Sequence, residues 1–85
     1  MKIKMYTSNY CPYCMNAERL LKNKGYDIHE KVFVDQDPMI LEKMIELTGK
    51  RTVPQIFIED HYIGGFDDLR KADNSGELDK ILSAK

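Results

Sequence analysis

Ser8-Asn9-Tyr10-Cys11-Pro12-Tyr13-Cys14 joins two segments of different period. Upstream, Lys2 to Thr7 alternates, with Ile3 and Met5 on one face and Lys2, Lys4 and Tyr6 on the other, as a strand does. Downstream, Ala17, Leu20 and Leu21 recur at helical spacing and Gly25 follows, so the pattern predicts a helix from Pro12 to about Lys24 with those three residues buried. Pro12 suits a first helical turn, where its missing N–H costs nothing. The cysteines therefore fall at a strand-to-helix junction. Free N–H groups and the positive end of the helix dipole lie there, and both favour thiolate over thiol at Cys11. Cys14 follows one turn later, close enough to close a disulfide, and helical geometry makes its sulfur the more buried. Attack is assigned to Cys11 and resolution of the mixed disulfide to Cys14.

The rest of the chain continues the alternation. Ile28 to Val34 reads as a second strand. Asp37 is an N-cap followed by Pro38, and Ile40, Leu41, Met44, Ile45 and Leu47 keep a helical period to Thr48 before Gly49 stops it. Residues 55–58 and 61–63 read as a hairpin across Glu59-Asp60. Gly64-Gly65 ends it. Asp67 to Ala72 reads as a short helix, Asn74-Ser75-Gly76 as a turn, and Leu78, Ile81 and Leu82 mark a last helix. The order β-α-β-α-β-β-α-α predicts an α/β fold: a parallel β–α–β unit, extended antiparallel by the hairpin and covered by helices on both faces. Phe33, Ile56, Phe57 and Ile58 are read as sheet core. Met15, Met39 and Met44 are read as core or helix-face packing, and His29 and His61 as ordinary polar positions.

Composition narrows the function classes. At 85 residues there is room for one core, so residues 1–85 are expected to form a single domain. Hydrophobic content of 42% with 32% charged residues argues against disorder. Apolar runs such as Val32-Phe33-Val34 fall far short of the roughly 20 residues a membrane span needs, and no export signal is read at the start. A net charge of −1 gives no reason to expect nucleic acid as a partner. Charge is uneven, however. Lys2, Lys4, Arg19, Lys22 and Lys24 face only Glu18 in residues 1–25, whereas acids dominate residues 26–49. This reads either as two solvated faces or as a positive field beside the cysteines.

A Cys-x-x-Cys pair has three readings. A structural zinc site needs four ligands, and only His29 and His61 could complete one. Two cysteines could also be plain core residues. A redox dithiol explains their place before a helix, and two cysteines are too few for a secreted disulfide framework.

Together, Cys11-Pro12-Tyr13-Cys14, Arg51-Thr52-Val53-Pro54-Gln55 and Gly64-Gly65-Phe66-Asp67-Asp68-Leu69 resemble a dithiol glutaredoxin, in order and spacing, from about Lys2 to Leu82. The resemblance implies a thioredoxin fold, a four-stranded mixed sheet flanked by helices, with a cis peptide before Pro54. It implies a glutathione-dependent thiol–disulfide oxidoreductase with Cys11 and Cys14 catalytic. Thr52, Val53 and Pro54 would line a glutathione groove, with the Val53 backbone pairing to the tripeptide like an added strand. Tyr13 would flank the groove, and Gly65, Phe66 and Asp67 would meet the γ-glutamyl end, Asp67 either taking the ammonium or capping a helix. Many family members carry a lysine shortly before the first cysteine. Here Ser8-Asn9-Tyr10 offers none, and Lys50 or Arg51 either supplies that charge or merely ends a helix at its negative pole.

Implied partners are glutathione as co-substrate and disulfide-containing or glutathionylated proteins, ribonucleotide reductase among the candidates. No tightly bound cofactor, metal, nucleic acid or membrane is expected, and the chain is expected to be a cytoplasmic monomer. Two other roles fit a dithiol of this kind: a thioredoxin-like donor recharged by a flavoprotein reductase, and an iron–sulfur cluster module.

Overall fold

Strand β1 (Ile3–Thr7) is paired on both sides. It runs parallel to β2 (Glu30–Phe33) and antiparallel to β3 (Gln55–Ile58), and β3 continues antiparallel to β4 (His61–Gly64). The sheet order is β2-β1-β3-β4. Helices α1 (Pro12–Asn23) and α2 (Pro38–Thr48) fill the first two crossings, and α3 (Phe66–Ser75) and α4 (Glu77–Ser83) follow the hairpin. This is the element order and the mixed four-stranded sheet expected from the sequence. The computed structural model describes residues 2–83; positions 1, 84 and 85, the ends of the single domain expected over 1–85, lie outside the described residues.

Strand alternation sorts the packing. Ile3 and Met5 face the side on which Ile58 and Ile56 are their cross-strand partners. Ala17 and Leu21 of α1, Leu69 of α3 and Leu78 and Leu82 of α4 close over them, and all are buried. Burial of each of the larger side chains, the Ile, Leu and Met residues, contributes about 1.5–3 kcal/mol, so this cluster is the main source of stability. On the opposite face Tyr6 is also buried and meets Phe57 edge to face, and Phe57 in turn stacks on Tyr62. Met44 of α2 is fully buried, and its neighbour Leu47 shares a hollow with Tyr6 and Phe57 on that side.

Several boundaries and burials differ from the sequence reading. Strand β2 is shorter than Ile28–Val34 because β1 ends at Thr7 and leaves nothing to pair beyond Phe33 except one bond from Val34 N–H to the Thr7 carbonyl. At the other end the His29 N–H still donates to the Ile3 carbonyl at 2.8 Å, but the Ile3 N–H turns to the His29 ring, whose Nδ1 accepts it at 3.1 Å. Strand β4 gains Gly64, because a register shift at Ile56/Phe57 pairs Gly64 with Ile56. Helix α3 absorbs Phe66 at its start and Asn74 and Ser75 at its end, since Gly76 takes the left-handed turn in their place. Leu20, Phe33 and Phe57 are half-buried, and Met15 and Met39 are exposed on helix surfaces.

Two polar devices fix the helices. Lys24 Nζ lies 2.6 Å from Asp73 and 2.9 Å from Asp79, tying the end of α1 to α3 and α4. Hydrogen bonds to Asp73 and Asp79 raise its pKa above the ordinary 10.5, so the tie persists through neutral pH and is lost as the pH rises past the lysine range. At the start of α2, Asp37 Oδ1 accepts the Met39 N–H at 2.9 Å. Asp37→Ala should cost about 1 kcal/mol, read as a lower urea midpoint at unchanged slope; an unchanged midpoint would mean the cap is solvent-replaceable.

Candidate active site

Cys11 is the N-cap of α1, its backbone extended at φ −139° just before the helix begins. A side chain at this position reaches the first free N–H groups. Its sulfur accepts the Cys14 N–H at 3.2 Å. That bond and the helix terminus both stabilise negative charge on Cys11. The two cysteines are joined as a disulfide, with Cα atoms 5.2 Å apart. Cys14 is the more buried, at 3% exposure against 8% for Cys11.

Across from Cys11 runs the Thr52–Gln55 turn, with a cis peptide between Val53 and Pro54. The Val53 carbonyl oxygen is 3.8 Å from Cys11 Sγ, placed to accept the thiol proton once the pair is reduced. Gln55 braces the turn: its Nε2 donates to the Thr52 carbonyl at 3.0 Å, and its Oε1 accepts the Tyr62 hydroxyl. Burial and the nearby Asp68 charge raise the Tyr62 pKa, against a hydrogen bond with Thr48 that lowers it, so the phenol stays a donor.

The third wall is the start of α3. Gly65 is its N-cap, and Asp68 Oδ2 accepts the Gly65 N–H at 3.1 Å. Asp67 is therefore not the cap. Its carboxylate is exposed and approaches Arg70 at 3.4 Å. Gly65 also comes close to the Pro54 carbonyl, which a Cβ there would meet at 3.4 Å. Tyr13 and Phe66 face each other with ring centroids 6.4 Å apart.

These walls enclose a groove of about 330 Å³. Tyr13, Thr52, Val53, Pro54, Gly65, Phe66 and Asp67 all line it, joined by Lys50, Gln55 and Asp68. Of the two bases considered for a missing lysine, Lys50 lines the groove and Arg51 lies outside it. A smaller cleft of about 160 Å³ opens on the other side of the dithiol, lined in part by both cysteines, Met15 and the Glu18–Lys31 ion pair. A larger hollow of about 430 Å³ lies between Lys2, Leu47, Phe57 and Asp60 and holds neither cysteine, so size does not locate the chemistry. Among the described residues no cluster of three His, Cys, Asp or Glu could hold a metal ion.

Sequence reasoning missed two positioning groups. Asp68 caps α3, and its place three residues after Gly65 was the available signal. Asp35 accepts the Asn9 N–H at 3.0 Å and anchors the loop before Cys11; it is too distant in sequence to have been read.

The family model for glutaredoxin matches residues 3–63. The chain belongs to the glutaredoxin family. It is 42% identical over 81 residues to a glutaredoxin of Neisseria meningitidis, covering 95% of each chain. It is 44% identical over 80 residues to glutaredoxin 3 of Escherichia coli, covering 94% of this chain and 95% of that one. Among solved structures, the buckwheat glutaredoxin–glutathione complex superposes with a TM-score of 0.87 at 28% identity, over 95% of this chain and 76% of that one. The Brucella melitensis glutaredoxin gives 0.84 at 36% identity, over 96% and 88%. The fold is the thioredoxin fold of glutaredoxins, and the chain is a thiol–disulfide oxidoreductase. No helix among the described residues of this glutaredoxin is long and apolar enough to cross a membrane.

Proposed function

We propose that Cys11 and Cys14 carry the exchange, with glutathione as co-substrate held in the groove beside them. The observation that carries this reading is convergence. Tyr13, from the first turn of α1, Thr52, Val53 and Pro54, from the cis-proline turn, and Gly65, Phe66 and Asp67, from the start of α3, line one groove. The turn's Val53 carbonyl lies 3.8 Å from the Cys11 sulfur. The complex of the buckwheat relative with glutathione supports the same reading.

The chemistry follows from the placement. The Cys11 thiolate attacks the glutathionyl sulfur of a mixed disulfide, and the substrate thiolate leaves and takes a proton from water. A second glutathione thiolate then attacks the glutathionyl sulfur and returns Cys11 to thiolate, leaving glutathione disulfide. With a protein disulfide, Cys14 instead attacks the Cys11 sulfur, closes the internal disulfide and releases the reduced protein. The Val53 main chain pairs with the cysteinyl part of glutathione. Free N–H groups at the start of α3 meet the γ-glutamyl carboxylate, Asp67 its ammonium, and Lys50 the glycyl carboxylate.

Residues 1–85 act as one domain and, in this reading, as a monomer without a tightly bound cofactor. The setting is reducing cytoplasm, where a catalytic dithiol is recharged by the glutathione pool. Protein disulfides and glutathionylated proteins are the substrates, that of ribonucleotide reductase one candidate.

The test is turnover of a glutathionylated peptide with reduced glutathione. Asp67→Asn should raise KM for glutathione roughly tenfold, the weight of one charge-assisted hydrogen bond at an exposed site, with little change in kcat. A parent protein inactive in this assay would dismiss the groove as a glutathione site.

A further inference from the structure

The positive balance of the first 25 residues has a specific location in the fold. Lys2 pairs with Glu30, Lys4 lies over the Tyr6 ring, and Lys24 is held by Asp73 and Asp79. That leaves Arg19 and Lys22. Both are exposed, and neither makes an ion pair or side-chain hydrogen bond among the described residues. The nearest acid on their helix, Glu18, is already taken by Lys31 at 2.8 Å.

These cations share a stripe with the active site. Pro12, Met15, Arg19 and Lys22 follow helical spacing and lie along one outward face of α1. The end nearest Cys11 is apolar: Met15 is 60% exposed, and Tyr10, just before the helix, is 97% exposed. Isolated exposed apolar residues need no explanation. Here two of them flank a reactive cysteine and lead directly to two unpaired cations, an arrangement that matches a chain of opposite character.

We propose that this face of α1 docks protein substrates, and that it selects those with acidic residues near the reactive cysteine. The occupant is an extended acidic segment of the substrate polypeptide, continuous with its disulfide-bonded cysteine. Helical rise puts Arg19 and Lys22 about 12 and 16 Å along the axis from Cys11. An extended chain covers about 3.3 Å per residue, so the favoured acids stand roughly three to five positions from the substrate cysteine. Met15 covers the residues in between, and Tyr10 offers an apolar contact on the other side of the cysteine. This docking surface is separate from the glutathione groove and acts on the macromolecular half of the substrate.

Glutathione is left out of the test so that the outcome does not depend on the groove. Cysteine peptides carrying a thionitrobenzoate mixed disulfide are offered to the reduced protein. Cys11 attacks the peptide sulfur and thionitrobenzoate leaves as a coloured thiolate; Cys14 then displaces the peptide thiol and the internal disulfide closes. Peptides carry two Asp, two Lys or two Ser three to five positions from the cysteine, on either side. Each rate is divided by that of dithiothreitol on the same peptide, which removes intrinsic reactivity. The acidic peptide should react about three- to tenfold faster than the neutral one at low salt, the weight of two exposed charge pairs, and the basic peptide slower. Arg19→Ala/Lys22→Ala should erase the acidic advantage while leaving the neutral peptide unchanged. Arg19→Glu/Lys22→Glu should reverse the order, and Arg19→Lys/Lys22→Arg should keep it. Equal normalised rates for the three peptides on the parent protein, or an acidic preference that survives Arg19→Ala/Lys22→Ala, overturns the proposal.

Discussion

Cys11→Ser is expected to abolish turnover of a glutathionylated peptide, a loss of at least ~1,000-fold, while Cys14→Ser keeps it. The asymmetry comes from one helical turn. Cys11 sits before α1 beside the Val53 carbonyl, at the edge of the groove, where the helix terminus and the Cys14 N–H stabilise its thiolate. A serine hydroxyl there stays neutral near pH 7 and is a poor nucleophile towards sulfur. Cys14 contributes to that stabilisation through its backbone, not its side chain. Serine at 14 therefore preserves the geometry at Cys11 and removes only the internal resolving step. Cys14→Ser should accordingly lose reduction of protein disulfides by the dithiol route. A dead Cys14→Ser beside an active Cys11→Ser would reverse the order of attack.

The largest stability effect outside the core cluster is expected at Gly64. Its φ of +114° is one that residues with a Cβ rarely adopt. A Cβ there would also collide with the Asp68 carboxylate that caps α3. Gly64→Ala forces one of two losses: the backbone leaves its turn, or Asp68 swings away and releases the Gly65 N–H. Together the strain and the lost cap should cost about 2–4 kcal/mol, a fall in Tm of roughly 10–25 °C for a domain of this size. Because Gly65, Phe66 and Asp67 follow directly, the KM for glutathione should rise as well. Gly64→Ala/Asp68→Ala separates the causes. If collision dominates, the double variant loses less than the sum of the two single losses; strict additivity would mean the backbone conformation alone sets the cost.

Much of this fold was legible because local and global signals agree. Pro12 and Pro38 each open a helix, Gly49 closes one in a left-handed turn, and Glu59-Asp60 makes the hairpin. The misreadings share one cause: the deciding partner is remote. Tyr6 reads as an outward residue until Phe57 covers it from the next strand. Ile28 and Val34 fit a strand, but β1 is too short to pair with them. Met15 and Met39 have core chemistry on helix positions that nothing covers. At the candidate site, the residues named from three short motifs fall on both sides of the dithiol: Tyr13, Thr52, Val53, Pro54, Gly65, Phe66 and Asp67 line one groove, and the cysteines line the neighbouring cleft, a convergence only the fold displays. Asp35, held to the cysteine loop across 26 positions, left no local trace.

The place of β1 has a consequence for the protein as it is made. Ile3 and Met5 are made well before their cross-strand partners Ile58 and Ile56, which emerge more than fifty residues later. Leu69, Leu78 and Leu82, which close the same core, come later still. A ribosome-bound chain carrying only the first β–α–β unit has its two thiols but not the Val53–Pro54 turn or the far side of the core. Such a nascent chain has the α1 terminus beside Cys11 but not the Val53 carbonyl that faces its sulfur. The part of the site that faces the dithiol is therefore made well after the thiols themselves, and until it folds against them the cysteines stand open to any oxidant.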